Sequence, residues 1–437
     1  MTLRSFALCG ILSGCVLTLP LSAGNWPQWR GSSGDGVSEE TGLPVAWSEK
    51  LGVVWRCPLP PWGNSTPAIW GDAVFVTSHV DNRELVLLRI DKATGKPVWQ
   101  RTVALAQAPS FDGWGKKGDR RRRQEFHRDH NMATPSPVTD GELVIAHFGS
   151  GDLAAYDFDG QEIWRRNLQD DHGPYTIWWG HGNSPILYGD LVVSVCMQDS
   201  CADLPGDPSI SYVAAHHKRT GELVWYTERM TAATDEHCDS YTTPVLWNRN
   251  GRPEIVVMGG QMLDAYNPLS GERLWWLPDL VGNRVVPTPV TGHGMVYAIQ
   301  GMREALLAVR PDKDGPLTRD SVVWSDDQGT SDSPSLLLVG ELLFMVNNQG
   351  IVRCYGALDG RLKWKERLRG NYRASPVLAE RRIYFLNMDG LCTVVGATDR
   401  FQRLAENQLD DRTLASPAVS GGRLFIRGHN WLYCLGR

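Results

Sequence analysis

A short segment recurs along most of this sequence and constrains the fold more than any other feature. Residues 265–275 read AYNPLSGERLW, residues 215–225 read AHHKRTGELVW, and residues 89–99 read RIDKATGKPVW. Each copy contains an apolar strand end, a Ser/Thr-Gly turn and a second short strand that reaches a tryptophan. One such unit cannot bury its own faces, so consecutive copies must pack on one another. The chain is therefore predicted to be a repeat protein.

Each repeat unit opens with a small hydroxyl residue followed by proline. Proline at the first position of a strand removes no ladder hydrogen bond, and each opener leads into β-branched and aromatic residues. Four short strands in a unit of roughly 40–50 residues are typical of a propeller blade. The openers are predicted at Thr66-Pro67, Thr134-Pro135, Ser184-Pro185, Thr243-Pro244, Thr288-Pro289, Ser333-Pro334, Ser375-Pro376 and Ser416-Pro417.

The fourth strand of each unit is predicted to end at a tryptophan with a structural role. These residues are Trp99, Trp164, Trp225, Trp275, Trp324 and Trp364, with Leu404 at the corresponding place in the seventh unit. The eighth unit stops at Arg437, after its third strand, whereas residues 52–58 form an unassigned strand with Trp55 at the equivalent position. We therefore predict an all-β fold, an eight-bladed β-propeller in which an N-terminal strand closes the last blade.

Residues 1–23 have the pattern of an export signal. Arg4 provides the positive charge, residues 6–21 are apolar and uncharged, and small residues precede a cleavage site after Ala23. Cys15 follows Leu-Ser-Gly as in a lipobox, so a lipid anchor at Cys15 is the alternative. The protein is expected to be exported, periplasmic or secreted.

The predicted organisation is a signal peptide (1–23), an N-terminal arm (24–51) and the propeller (52–437). No later stretch has the ~18 uninterrupted apolar residues of a spanning helix. Lys and Arg number 44 against 49 Asp and Glu, which disfavours a nucleic-acid partner. Cys196 and Cys201 are a candidate disulfide.

The repeated pattern Ala-x-Asp-x-x-Thr-Gly-x-x-x-Trp resembles the tryptophan-docking repeat of the pyrroloquinoline-quinone (PQQ) repeat β-propeller superfamily. The resemblance covers residues 52–437 and implies an eight-bladed ring in which each tryptophan stacks on the neighbouring blade. The superfamily includes quinoprotein alcohol dehydrogenases, which hold PQQ and calcium, and BamB-like periplasmic scaffolds without a cofactor. This sequence lacks the adjacent cysteine pair of the dehydrogenases and has no C-x-x-C-H haem motif. We predict no cofactor, with PQQ and calcium, or a divalent metal, as the alternative.

Strand alternation places the long insertions on one face of the ring, which is the expected site of function. The insertions are predicted at residues 100–132, 165–183, 197–211 and 226–242. Imidazole and carboxylate groups in them suit a divalent metal, and the candidate ligands are His127, His130, His237 and Asp239. No spacing matches a defined zinc motif, so polar loop side chains without a metal are the alternative.

Aromatic and basic residues in the same insertions suggest a surface for a partner. The candidate contacts on this face are His172, Trp178, Trp179, His181, Arg121 and Arg122. His216 and His217 are expected on the opposite face with a structural role.

No G-x-S-x-G, Walker A or H-E-x-x-H motif occurs in the sequence. We therefore predict a monomeric exported propeller that binds an envelope protein or a polymeric ligand through its loop-rich face, without catalysis. The alternative is a quinone- or metal-dependent enzyme, similar to PQQ-dependent dehydrogenases, with its site on the same face.

Overall fold

The structure, a computed structural model, describes residues 24–107, 126–177, 179–198 and 210–436. The predicted signal sequence with Cys15, and the candidates Arg121, Arg122, Trp178 and Cys201, lie outside these residues. Helix is scarce in the described part, which has one α-helix, α1 (Leu168–His172), and two 3-10 turns, Asp235–His237 and Arg319–Ser321. None of these helices has the length or the apolar character needed to cross a membrane.

The described strands form eight antiparallel blades arranged in a ring. The arm contains β1 (Val37–Ser38) and leads to β2 (Val53–Pro58). Blade 1 contains β3 (Ala68–Trp70), β4 (Ala73–Val80), β5 (Glu84–Asp91) and β6 (Pro97–Leu105); blade 2 contains β7 (Val138–Thr139), β8 (Leu143–His147), β9 (Asp152–Asp157) and β10 (Glu162–Asn167). Blade 3 contains β11 (Ile186–Tyr188), β12 (Leu191–Cys196), β13 (Tyr212–His217) and β14 (Leu223–Glu228); blade 4 contains β15 (Val245–Arg249), β16 (Arg252–Gly259), β17 (Met262–Tyr266) and β18 (Arg273–Leu277).

The second half of the chain continues the same order. Blade 5 contains β19 (Val290–Gly292), β20 (Met295–Ile299), β21 (Leu306–Val309) and β23 (Val322–Asp326), with β22 (Gly315–Pro316) beside β18. Blade 6 contains β24 (Leu337–Val339), β25 (Leu342–Val346), β26 (Ile351–Gly356) and β27 (Leu362–Arg367); blade 7 contains β28 (Val377–Ala379), β29 (Arg382–Leu386), β30 (Leu391–Gly396) and β31 (Arg403–Gln408). Blade 8 contains β32 (Ala418–Ser420), β33 (Arg423–Arg427) and β34 (Trp431–Leu435).

The ring closes where the two ends of the chain meet in blade 8. Strand β2 pairs antiparallel with β34, with Val53 opposite Leu435 and Cys57 opposite Leu432. The resulting sheet has the order β2-β34-β33-β32, so the N-terminal strand is its outermost strand. The predicted eight-bladed propeller, closed by an N-terminal strand, is confirmed.

A ring of hydrogen bonds joins the innermost strands of the blades. A backbone N–H at the start of one blade donates to a serine or threonine hydroxyl of the next blade. The bonds are Thr66 to Ser136 (2.9 Å), Ser136 to Ser184 (2.9 Å), Ser184 to Thr243 (3.3 Å), Thr243 to Thr288 (2.9 Å), Thr288 to Ser335 (3.0 Å), Ser335 to Ser375 (3.0 Å) and Ser375 to Ser416 (3.0 Å). These eight residues are called the hydroxyl ring below.

Two of the predicted blade openers are wrong by two residues, as the hydrogen bonds of the hydroxyl ring show. Blade 2 opens at Ser136-Pro137 rather than Thr134-Pro135, and blade 6 opens at Ser335-Leu336 rather than at Ser333-Pro334. Both segments repeat a small hydroxyl residue two positions apart. A shift of two residues preserves the alternation of a strand, so the pattern alone cannot distinguish the two registers.

The repeat tryptophans lie third in their strands instead of last, so the fourth strands extend beyond them. Six donate the indole N–H to a backbone carbonyl of the following blade: Trp55 to Lys92 (3.0 Å), Trp99 to Phe158 (2.9 Å), Trp164 to Lys218 (2.8 Å), Trp225 to Pro268 (3.0 Å), Trp324 to Ala357 (2.8 Å) and Trp364 to Thr398 (3.0 Å). Trp275 instead donates to Glu254 of its own blade, at 2.7 Å. In blade 7 the equivalent position is Ala405, which pairs with Val394, and not Leu404.

The N-terminal arm crosses the ring on the side opposite the long insertions. The backbone of Trp26 pairs with that of Ile69 in blade 1, and further along the arm the N–H of Leu378 in blade 7 donates to Gly36 at 2.8 Å. Between these points the buried side chain of Arg30 donates to the carbonyl of Leu336 in blade 6. The arm therefore reaches blades on both sides of the central axis.

Candidate functional site

A cavity of about 420 Å³ lies at the centre of the ring. Its wall contains members of the hydroxyl ring, including Ser136, Ser184 and Ser416, and Trp29 lines it from the N-terminal arm. Most of the remaining lining comes from the segments that connect one blade to the next, whereas Met302 and Asn348 lie in turns within blades 5 and 6. The rim of the cavity includes six of these lining residues: His127, Asp129, Trp179, Arg284, Asp332 and Arg373.

Asp129 lies at the centre of an ion-pair cluster on the rim. Its carboxylate is 2.5 Å from a guanidinium nitrogen of Arg412, 3.6 Å from one of Arg373 and 3.9 Å from Nδ1 of His127. A second cavity of about 340 Å³ shares Asp129 and Arg373 with the first. Together the two cavities are lined by four arginines (Arg128, Arg284, Arg373 and Arg412) and two carboxylates (Asp129 and Asp332). The rim is therefore a region of positive charge.

Arg284 and Trp179 lie next to each other on the rim. Its guanidinium lies 6.0 Å from the centre of the Trp179 ring and 3.8 Å from the Glu236 carboxylate. The ring of His127 meets Trp179 edge-on, with 5.4 Å between centroids. Nε of Arg284 is buried and has no hydrogen-bond partner among the described residues. This arrangement places a guanidinium beside an aromatic ring in the cavity lining.

Asp332 is the second carboxyl group at the cavity. Burial raises its pKa, while the charges of Arg284 and Arg373 act in the opposite direction. Its Oδ1 atom is buried without a hydrogen-bond partner in the described structure. The N–H groups of Asp332 and Ser333 donate to Oδ1 of Asn348, at 3.1 and 3.0 Å, which fixes the local backbone.

The four predicted metal ligands do not form a single cluster. Nδ1 of His130 is 2.6 Å from the hydroxyl of Thr134 and its Nε2 is 3.1 Å from the carbonyl of Gly180, so both nitrogens are engaged. His127 lines the cavity, His237 lies exposed on a 3-10 turn, and Asp239 is buried. Metal binding by these residues stays a prediction.

Only one of the described ligand-face candidates lines the cavity, namely Trp179. His181 is buried below the rim, where its ring stacks on Tyr175 (4.7 Å between centroids) and lies 4.6 Å from that of His147. His172 packs against blade 3, outside the cavity lining. Cys196 is buried in β12, and its proposed disulfide partner lies outside the described residues, so that disulfide also stays a prediction.

Sequence reasoning missed Arg284, Asp332, Arg373 and Trp29. The first three lie two to four residues before the blade openers Thr288, Ser335 and Ser375. If the segments between blades had been aligned at the residues of the hydroxyl ring, these three side chains would have been placed at the same height in the central cavity. The position of Trp29 depends on the path of the arm, for which the repeats give no signal.

The fold and the cavity define an eight-bladed β-propeller of the PQQ-repeat type with a site at its central axis. A family model described as outer membrane protein assembly factor BamB matches residues 36–198 and 315–426, more than half of the chain. The chain belongs to this family. No curated protein matches it significantly in sequence.

Solved structures share the fold at low sequence identity. BamB from Moraxella catarrhalis is 14% identical, with 88% of this chain and 99% of that chain covered and a TM-score of 0.59. Quinohemoprotein alcohol dehydrogenase from Comamonas testosteroni is 10% identical, with 94% and 80% covered and a TM-score of 0.65. A europium-containing methanol dehydrogenase is 13% identical, with 92% and 89% covered and a TM-score of 0.61. Such identities establish the fold alone.

The cavity residues do not fit a calcium-bound quinone. Calcium takes about 6–8 oxygen ligands, but the carboxylate of Asp129 is already paired with Arg412 and Arg373. Asp332, the other carboxyl group in the lining, has a raised pKa because of burial, which opposes the charged form that calcium binds. None of the six described cysteines lines the cavity. The donor set is dominated by arginine and suits an anion better than a cation.

Proposed function

We propose that this protein is an exported, non-catalytic propeller that binds a protein partner in the cell envelope through its loop-rich face. Membership of the BamB family supports a scaffold role with protein partners. The observation that carries the proposal is the arginine-rich rim of the central cavity. The partner is expected to place a carboxylate-bearing side chain in that cavity.

The chemistry of the rim favours a carboxylate. Arginine presents a planar fork of donors that matches a carboxylate in geometry and charge. Arg284 lines the cavity, and its guanidinium lies 3.8 Å from the Glu236 carboxylate. Arg373 is held 3.6 Å from Asp129 and is about one-third exposed, so it can reorient toward an incoming anion. Trp179 next to Arg284 adds apolar area of the kind common at protein hot spots.

Binding of a labelled acidic peptide tests this proposal. We expect a fluorescein-labelled hexa-aspartate peptide to bind the full chain, and a hexa-asparagine peptide to bind much more weakly. Arg284→Gln and Arg373→Gln should each weaken binding about tenfold or more, because a hydrogen bond to a charged group contributes ~1.5–3 kcal/mol. Fluorescence anisotropy at low and high salt measures both effects, and binding should decline at high salt.

Arg361→Gln is the matched control. Arg361 lies in the turn between β26 and β27, and its side chain is 83% exposed. The substitution Arg361→Gln removes one positive charge, as the two rim variants do, but lies away from the cavity. Peptide binding should therefore be unchanged. Equal binding of the two peptides, or an equal loss in all three variants, would show that the rim is not the binding site.

A further inference from the structure

Three side chains with metal-ligating atoms meet between blades 2 and 3, outside the lining of the central cavity. Asp171 and His172 end helix α1, which follows the last strand of blade 2, and His216 lies in β13 of blade 3. One ligating atom of each residue lies within 4.8 Å of those of the other two. In the described part of the chain, this is the group of three such residues that the fold brings together.

Packing of α1 on blade 3 creates the cluster. The ring of His172 lies against Tyr212 and Tyr226, with centroid distances of 5.0 and 4.8 Å, and 6.0 Å from the ring of His216. The cap of α1 fixes the start of the helix, because Asn167 accepts a hydrogen bond from the N–H of Gln169. His172 is therefore directed onto the sheet face that carries His216.

The histidines of this cluster have buried nitrogens without hydrogen-bond partners in the described structure. His216 is 0% exposed, and neither Nδ1 nor Nε2 has a partner. Nε2 of His172 is buried and likewise lacks one. A buried polar atom without a hydrogen-bond partner is costly, so these nitrogens favour a ligand at this place. A metal ion would satisfy them.

The carboxylate of Asp171 is paired with one arginine, Arg166, and its remaining lone pairs are open to a metal ion. Both oxygens of Asp171 accept hydrogen bonds from Arg166, at 2.8 and 2.9 Å, which orients the carboxylate.

We propose that Asp171, His172 and His216 form a binding site for a divalent transition-metal ion, with Zn²⁺ as the expected occupant. A set of two imidazoles and one carboxylate favours zinc over calcium and magnesium, which bind mainly through oxygen atoms. Asp171 is exposed, so the ion can enter from solvent, and a tetrahedral zinc ion would take water as its fourth ligand. The bound ion would attach α1 to blade 3. This site is distinct from the one predicted at His127, His130, His237 and Asp239.

Metal titration of the full chain, prepared without a histidine tag and stripped with a chelator, tests the site. We expect one equivalent of Zn²⁺ by isothermal titration calorimetry and a rise in melting temperature on binding. Co²⁺ should give visible absorption bands of a site with nitrogen ligands. A wild-type chain that binds less than one equivalent, with no change in melting temperature, would overturn the proposal.

Substitutions identify the ligands. His172→Ala, His216→Ala and Asp171→Asn should each weaken Zn²⁺ binding more than about 100-fold, since loss of an outer contact alone costs about 10–100-fold. His217→Ala is the matched control, because His217 is adjacent in β13 and should leave binding unchanged. If His216→Ala fails to fold, the two substitutions in α1 decide the question at less buried positions.

The loop-face candidates provide the competing outcome. Zinc retained by both His172→Ala and Asp171→Asn, but lost from a His127→Ala, His237→Ala double variant, would overturn the proposal. That result would place the metal at His127 and His237 instead. Loss in the α1 variants alone supports the site between blades 2 and 3.

Discussion

The hydroxyl of Thr66 donates a hydrogen bond to the carbonyl of Ser416, 3.1 Å away, and so joins the first blade to the last. The backbone N–H of Thr66 donates to Ser136 and begins the hydroxyl ring in the other direction. The hydroxyl ring thus holds the blades together where they are closest to the axis.

The first prediction concerns the contribution of one ring hydroxyl to stability. Ser136→Ala should lower the free energy of unfolding by about 1–3 kcal/mol, because it leaves the buried N–H of Thr66 without an acceptor. Urea denaturation measures the change. Ser270→Ala is the control, since its hydroxyl accepts a hydrogen bond in an exposed turn. Equal stability of the two variants would mean that the hydroxyl ring contributes little.

The contact between Trp55 and Gly95 gives the second prediction. A Cβ on Gly95 would lie 2.5 Å from the indole ring of Trp55, and Gly95 has a φ of +72°. Gly95→Ala should therefore cost about 1–3 kcal/mol more than Gly71→Ala, whose φ is +57° but whose Cβ would meet nothing within 4 Å. Both substitutions place an alanine at a positive φ. The difference between the two variants in the free energy of unfolding, measured by urea denaturation, therefore reports the clash with Trp55. A difference near zero would show that the seam between blades 8 and 1 is loose.

Ring closure gives the third prediction. A chain beginning at residue 60 lacks β2 and leaves blade 8 with three strands, exposing the edge of β34. We expect a lower melting temperature and a broader transition by circular dichroism. A synthetic peptide of residues 52–59 added in excess should partly restore the transition. A truncated chain that melts as the intact chain does would contradict the role of β2 in closure.

Most of the architecture could be predicted because each repeat carries the same local signals. Strand alternation, the Ser/Thr-Gly turn and the orphan strand around Trp55 gave eight blades and their closure. The register errors were shifts of one or two residues, at Ala405 against Leu404 and at Ser136 against Thr134, and the fourth strands extend beyond the tryptophans that were predicted to end them. The two-residue shift arises where the sequence offers two equivalent residues and only the hydrogen-bond register distinguishes them.

The sites could be predicted only in part, because their residues come from separate repeats. Arg284, Asp332 and Arg373 belong to three different blade connections, and only the closed ring brings them to one cavity. His216 was expected on the opposite face, yet α1 brings His172 beside it. Neither juxtaposition follows from spacing along the chain. Each depends on how far a connection folds back onto its neighbouring blade.

The fourth prediction separates the scaffold from the dehydrogenase alternative. After incubation with PQQ and calcium, we expect no dye-linked oxidation of alcohols, because the carboxylate of Asp129 is engaged by two arginines. The arginine-rich rim can retain PQQ through its carboxylates, but calcium should not strengthen that retention. Absorption spectra after desalting, with and without calcium, measure this. Calcium-dependent retention together with turnover would establish the enzyme.

The fifth prediction is a loss of stability on mild acidification, caused by the buried His147. Burial lowers the pKa of His147 to about 3, whereas an unfolded histidine titrates near 6.5. The unfolded chain therefore binds a proton over a pH range in which the folded chain does not. The stabilisation is fully present above pH ~6.5 and is lost as the pH falls toward about 3.

Between pH 7 and pH 5 the titration of His147 should lower the free energy of unfolding by about 2 kcal/mol. His147→Gln should remove that part of the pH dependence in urea denaturation. A His147→Gln variant with the wild-type difference between the two pH values would show that His147 does not titrate on unfolding as its burial requires.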